Sequence, residues 1–304
     1  MSTRITSNMI SRSVLNDLNE VSQRLSKTQQ RMSSGKQITR PSDDPYGTSR
    51  ALSLRTDIAG TQQYQRNVGE ATAWQSVTDS ALSKITEAVQ RARDLAVQGA
   101  SDSAGQAARN AAAAEIDQLI ESVKQEANAS YGGRYVFSGT KTDTAPYAVA
   151  GADAYQGDTA AVAREIGPGV SVQVNVIGQS LLGDGQAAAD GKLLNVLRDI
   201  SDHLKSGVVA DANSLRTTDL QELDVNLDAL SQTRATVGAT TNRLESADSR
   251  LQEVEGSLTK LLSDVEDADM AQTYTDFSMQ QSVYQSALRA GSNIVQQSLL
   301  DFLR

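Results

Sequence analysis

The chain of 304 residues holds one histidine and no cysteine. A catalytic triad would have to use that imidazole, His203. It stands beside Asp202, Leu204 and Lys205 in a helical stretch, which places it on a solvent face. Without thiols there is no disulfide, no thiol catalysis and no cysteine-based metal site. The carboxylates that could hold a hard cation fall in two groups, Asp43 with Asp44, and Glu266, Asp267 and Asp269. Such a cation needs several oxygen ligands. Turns, helix caps and helix-dipole partners account for both groups more simply. Asp184-Gly185 reads as a turn, because the ligand alternation of a calcium loop is missing. Asn128-Ala129-Ser130 is a glycosylation sequon by spelling only. No glycine-rich phosphate loop follows a strand. The sequence thus predicts no enzyme, with no catalytic, cofactor-binding or metal-binding residue.

What the chain does offer is contact surface. Val14, Leu18, Val21, Leu25, Thr28 and Met32 repeat at 4-3 spacing near the N-terminus. Phe277, Gln281, Tyr284, Leu288, Gly291, Val295, Leu299 and Phe302 repeat it near the C-terminus. These are coiled-coil seams, and each needs another helix to cover it. The two terminal helices are expected to pair and to pack their outer faces on neighbouring subunits. Burying one such side chain contributes roughly 1.5–3 kcal/mol, while ordering each residue costs on the order of 1–2 kcal/mol. A lone pair of such helices is therefore marginal, and other copies are expected to complete it.

The charge agrees with side-by-side ends. Residues 1–60 hold nine Lys and Arg against five acids, whereas residues 261–304 hold six acids against two Arg. Opposite signs favour lateral pairing and steer assembly. The formal net charge of -9 argues against non-specific nucleic-acid binding. No apolar run is long enough to cross a membrane, and the N-terminus has no apolar segment of secretory-signal type.

The remaining elements position these ends. Helix runs to Gly35, followed by a loop, Gly35 to Pro45, in which Pro41 and Pro45 exclude a helix interior. This loop is a candidate hinge, with Gly35, Pro41, Asp43, Asp44 and Pro45 as its signature. Helix resumes from Tyr46 to about Gly99, with Gly60 and Gly69 as candidate breaks, and again from about Gln106 to Ser130. The period then changes. Tyr135, Val136 and Phe137 read as a strand, and Val170, Val172, Val174 and Val176 alternate with polar residues. Helix returns near Gly191. One helix of about 50 residues, from Asn213 to Asp264, would span roughly 75 Å. The fold class is mainly α: an elongated helical bundle of coiled-coil type with a small β-rich insertion. The expected domains are a terminal assembly domain (1–45 and 266–304), a helical rod (46–133 and 188–265) and a β-rich outer domain (134–187).

Three segments resemble the flagellin superfamily. Arg31-Met32-Ser33-Ser34-Gly35-Lys36 with Asp43-Asp44 is similar to its N-terminal signature. Val89 to Gln98 resembles its inner helix, and Glu266-Asp267-Ala268-Asp269 with the last helix resembles its C-terminal signature. Pro41 to Pro45, Tyr155-Gln156-Gly157-Asp158 and the ending Ser298 to Arg304 resemble the hook-associated junction branch more than flagellin itself. The resemblance implies a secreted structural subunit at the hook-filament junction of a bacterial flagellum. Its partners would be copies of itself in a ring or tube, a neighbouring hook-associated junction protein, and flagellin. It also implies type III flagellar export and an export chaperone on the C-terminal helix. A filament flagellin and a non-flagellar coiled-coil assembly protein remain alternatives.

Overall fold

In the computed structural model, residues 7–101 and 104–302 are described, with the side chains of 7, 8, 10, 11, 209, 210, 212 and 293–302 left out. The elements in order are α1 (Ser7–Ser34), α2 (Pro45–Ala100), α3 (Gln106–Ala127), β1 (Ser130–Tyr131), β2 (Arg134–Tyr135), β3 (Ala163–Gly167) and β4 (Val170–Gln173). There follow α4 (Gly178–Leu182), a 3-10 turn (Gln186–Ala188), α5 (Leu193–Ser206), α6 (Val209–Ser214), α7 (Leu220–Glu266) and α8 (Met270–Phe302). The fold is mainly α with two small antiparallel sheets, β1-β2 and β3-β4.

The chain divides into two compact units, 1–60 with 254–304, and 61–253. These bounds fall inside α2 and α7, not at the loops expected from the sequence. The β-rich stretch belongs to the inner unit. It is too short for a core of its own, and Val136, Phe137, Tyr147, Ile166, Val172 and Val174 join the buried cluster of the helices.

Helix α2 runs through Gly60 and Gly69, the two candidate breaks. A Cβ at either position would meet nothing, so each glycine costs only about 1 kcal/mol of helix propensity. The flanking apolar face outweighs that cost: Leu82, Ile85, Val89 and Ala92 are fully buried. Ala113, Ile116, Ile120 and Val123 of α3 and Leu193, Leu197 and Ile200 of α5 are buried in the same cluster. The expected long helix from Asn213 instead begins as α6, passes through a π-helical stretch at Leu215–Asp219, and becomes regular only at Leu220. The wider turn tucks in Leu215 and Asp219, both nearly inaccessible. It also lets Arg216 Nε donate to the Ala100 carbonyl at 2.7 Å, at the end of α2.

Gly132 and Gly133, both at positive φ, turn β1 into β2, as a two-residue hairpin turn requires. The ladder of β4 stops at Gln173, short of Val176. The Asn175 side chain takes over there: its Oδ1 accepts from Val162 N at 2.8 Å and its Nδ2 donates to Ala160 O at 2.9 Å. Val136 and Phe137 are buried but lie outside the strands. The Phe137 carbonyl accepts from Gly178 N at 3.0 Å and from the Tyr155 hydroxyl at 2.8 Å instead of from a partner strand.

Candidate assembly site

Helices α1 and α8 pack along one another. Val14, Leu18, Val21 and Leu25 are half-buried on α1, and Thr28 is buried. On α8 the inward residues are Thr273, Phe277, Gln280, Tyr284, Ala287 and Gly291. The 4-3 spacing is therefore present, but its phase differs from the expected one. Gln281 is exposed, and Leu288 keeps 45% of its surface. One contact sets the phase, and another sets how closely the helices approach. Thr28 Oγ1 donates to Gln280 Oε1 at 2.8 Å. A Cβ on Gly291 would meet Val14 Cγ1 at 3.2 Å and Leu18 Cδ1 at 3.5 Å, so the missing side chain lets α8 approach α1. Met32, at the end of α1, is 37% exposed. The side chains of Val295, Leu299 and Phe302 lie outside the described residues.

The two helices are tied at one end by backbone. Gln37 N donates to Glu266 O at 2.7 Å, and Ala268 N donates to Gly35 O at 2.9 Å. Lys36 and Asp267 form an antiparallel bridge. Gly35 sits at φ 69, where only glycine turns without strain. The Glu266 side chain is only 7% exposed and takes Lys36 Nζ at 2.6 Å and Arg55 Nη2 at 2.7 Å. Burial works against its charge, but the bonds from Lys36 and Arg55 outweigh burial and hold its carboxyl below the usual range.

The loop from Gly35 to Pro45 is pinned throughout. Asp43 Oδ2 accepts from the Thr39 hydroxyl at 3.0 Å and from Arg40 N at 3.1 Å, while Lys27 Nζ approaches Oδ1 at 2.8 Å. Lys27 first, then Thr39, hold the Asp43 carboxyl far below the usual carboxylate range. Asp43 N donates to Arg40 O at 2.9 Å, closing a turn with Pro41 at its second position. Asp44 caps α2, accepting from Tyr46 N at 3.1 Å and Gly47 N at 3.0 Å, with Pro45 as the first helical residue. Asp269 caps α8 in the same way, from Ala271 N at 2.9 Å and Gln272 N at 3.1 Å. Asp43, Asp44, Glu266 and Asp269 thus have cap, turn or ion-pair roles, and Asp267 accepts from Ser263 Oγ at 2.5 Å.

Within the inner unit, two placements correct the sequence reading. His203 is not on a free solvent face. Its Nδ1 lies 2.5 Å from Asp219 Oδ2, a carboxylate with only 5% of its side chain exposed. The π-helical stretch, invisible as a pattern, carries Asp219 to that point. Burial disfavours the imidazolium, but the bond to Asp219 and the nearby charges of Asp211 and Asp199 outweigh it and raise the pKa. A raised pKa stabilises the fold fully below the unfolded value of about 6.5, and the contribution fades as pH rises through the folded value. The inner unit is therefore expected to melt at a higher temperature at pH 6 than at pH 8.5. His203→Gln should remove that difference in circular-dichroism melts; an unchanged pH profile would exclude the pair as its source.

The second placement is a buried charge network that sequence reasoning missed. The Lys124 side chain is fully buried and reaches Glu121 Oε1 at 2.9 Å, Asp153 Oδ1 at 3.0 Å and Gly151 O at 3.1 Å. Arg198 Nε meets Asp153 Oδ2 at 2.8 Å. Asn128, the sequon residue, is spent on backbone: it donates to Tyr147 O at 2.7 Å and accepts from Tyr147 N at 3.1 Å. Trp74 is an anchor, edge-on to Tyr131 of β1 with ring centroids 6.4 Å apart.

Residues 5–142 match the bacterial flagellin N-terminal helical region, and residues 220–303 match the bacterial flagellin C-terminal helical region. Flagellar hook-associated protein 3 of Escherichia coli is 30% identical over 278 residues, 86% of this chain and 87% of that protein. A flagellar hook-associated protein from Vibrio parahaemolyticus has a similar solved structure, with a TM-score of 0.66 at 24% identity, covering 74% of this chain and all of that one. The flagellar junction protein FlgL from Legionella pneumophila shares the fold at a TM-score of 0.55 and 14% identity, over 73% of this chain and all of its own. With both helical regions matched, and a hook-associated relative aligned along most of either chain, this chain belongs to the bacterial flagellin family.

Proposed function

We propose that this chain is a structural subunit of the bacterial flagellum, the hook-filament junction protein, and that it works by packing and not by catalysis. The observation that carries the reading is the surface of the terminal unit. Among its described residues only Ala51 and Leu54 are buried apolar side chains. Leu15, Leu52, Tyr274, Met279, Val283 and Leu288 are exposed on its helices. Helices with so little buried surface are marginal alone. Copies of the same chain, arranged as a ring or tube, would cover what each leaves open. Val14, Leu18, Val21, Leu25, Phe277 and Tyr284 hold the pair together, and Met32 and Leu288 reach the neighbour.

The family resemblance supplies the rest of the proposal. One side of the assembly meets a hook-associated neighbour and the other meets flagellin. The chain leaves the cell through the flagellar type III apparatus, and an export chaperone covers α8 beforehand. The loop from Gly35 to Pro45 acts as a fixed corner that sets the direction in which α2 leaves α1. No helix among the described residues is long and apolar enough to cross a membrane.

A deletion strain tests this reading. Cells lacking the protein should keep their hooks and release unassembled flagellin into the medium. Hooks that still bore normal filaments would overturn it. A strain whose hooks are bare and whose medium holds no filament subunit would point to flagellin itself.

A further inference from the structure

A cavity of about 330 Å³ opens on the inner unit where α2, the β1-β2 hairpin and the β3-β4 sheet meet. That is the lower end of the range for small-molecule sites. Helix α2 supplies Glu70 and Trp74, about one turn apart, and Ala71 between them. The hairpin supplies Tyr131 and its cross-strand partner Arg134. Val162, Arg164 and Val174 complete the wall. Val174 N donates to Val162 O at 2.9 Å and fixes that side.

Depth sorts these residues by chemistry. Ala71 and Val174 are each 1% exposed, and Trp74 is 5% exposed. Trp74 and Tyr131, their rings at 75°, form an aromatic corner. The Trp74 Nε1 donor is buried and has no hydrogen-bond partner in the chain. Buried donors are nearly always paired, so an orphan that lines a cavity points to an acceptor from outside. The cations lie nearer solvent, Arg134 exposed and Arg164 half-buried. Arg134 has no ion pair among the described residues. Arg164 meets only Glu70, at 3.7 Å, too far for a hydrogen bond. Both guanidinium forks are therefore available to a planar anion.

We propose that this cavity is a binding site for a small hydroxylated aromatic carboxylate. The carboxylate meets Arg134 and Arg164 at the mouth. The ring fills the apolar corner, and its far oxygen accepts from Trp74 Nε1. A sugar acid would satisfy the arginines too, but it brings several hydroxyls, and Ala71, Val162 and Val174 offer them no partner. Glu70 at the same mouth repels a second carboxylate, which favours a monoacid.

Trp74 is the sole tryptophan, so its indole N–H gives one cross-peak in a proton–nitrogen correlation spectrum of the full-length chain. Titration with 4-hydroxybenzoate should move that peak and saturate with a Kd of about 1 mM or tighter. Benzoate lacks the far oxygen and phenol lacks the carboxylate, and each should bind about tenfold more weakly. Glucuronate, charged but not aromatic, should be weaker by at least about tenfold. The double variant Arg134→Gln with Arg164→Gln should melt like the parent and bind 4-hydroxybenzoate about tenfold more weakly. An indole peak that stays in place up to about 10 mM ligand would leave only water at that N–H and overturn the proposal. Glucuronate binding as tightly as 4-hydroxybenzoate would overturn it as well, as would a folded double variant that binds like the parent. If the double variant does not fold, the comparison with benzoate and phenol on the unaltered chain still decides: equal affinity for all three would overturn the assignment.

Discussion

Lys124→Ala is expected to destabilise the inner unit by about 3–5 kcal/mol, the range for breaking a buried ion pair from one side. The ammonium has no exposed side-chain surface, and Asp153 keeps only 10% of its own. Burial works against the Asp153 charge, and the bonds from Arg198 and Lys124 outweigh it, holding the carboxyl below its ordinary value. Without Lys124, Arg198 alone faces Asp153 and Glu121, while Asp117 is shared between Arg198 and Lys205. The loop suffers as well. Ala150 sits at φ 54, an unfavourable conformation for a residue with a Cβ. Its N–H is held by Glu121 Oε2 at 2.6 Å. At about 2–4 °C per kcal/mol for a unit of this size, the melting temperature should fall by roughly 6–20 °C. Lys124→Met, which keeps the stem and loses the charge, should fall between the two. Thermal melts by circular dichroism measure this. A drop of less than about 2 °C for Lys124→Ala would mean that the network does not hold the 150–153 loop to the helices.

The second large effect separates the inside of the terminal pair from its outside. Leu25 is half-buried on the face of α1 that meets α8. Leu25→Asp should cost roughly 1.5–3 kcal/mol in that pairing and also stop incorporation onto hooks. Leu288 is exposed. Leu288→Asp should leave melting within about 0.5 kcal/mol of the parent and still stop incorporation, because a carboxylate would then be buried against a neighbouring subunit. Melting curves and a hook-docking assay, run on the same preparations, read both halves. Normal docking by Leu288→Asp would show that the outer face of α8 is not an intersubunit contact. Loss of helix content by the same variant would show that Leu288 belongs to the chain's own packing.

The two leucines also show how far periodicity reaches. A 4-3 repeat marks α8 as a helix that needs a partner, and that much was legible. Its phase was not, because residues 280 and 281, or 287 and 288, fit the repeat almost equally well. The Thr28–Gln280 bond chooses between 280 and 281, and it belongs to α1 as much as to α8; Gly291 fits either phase. Caps were readable for the opposite reason. Asp44 before Pro45 and Asp269 before α8 act within three residues of themselves.

The buried charges were the hardest to read. Glu121 and Lys124, three apart on a helix, look like an ordinary surface pair. Asp153 and Arg198 come from elements far along the chain, and only their convergence closes water out. His203 changed from a solvent residue to an ion-paired one for the same reason, since a π-helical stretch sixteen residues on delivers Asp219.

By itself, then, the sequence determined the local part of this protein: long helices, their caps, a loop at Gly35–Pro45 that Pro41 and Pro45 keep out of helix, the change of period between residues 134 and 187, and terminal seams that call for a partner helix. Tertiary structure decided the phase of the seam, the burial of Lys124, the pairing of His203 and the merging of the β-rich stretch into the inner core. The division has a physical cause. Helix period and capping are set by neighbours within a few residues, whereas desolvation is set by whichever distant segment arrives to displace the water.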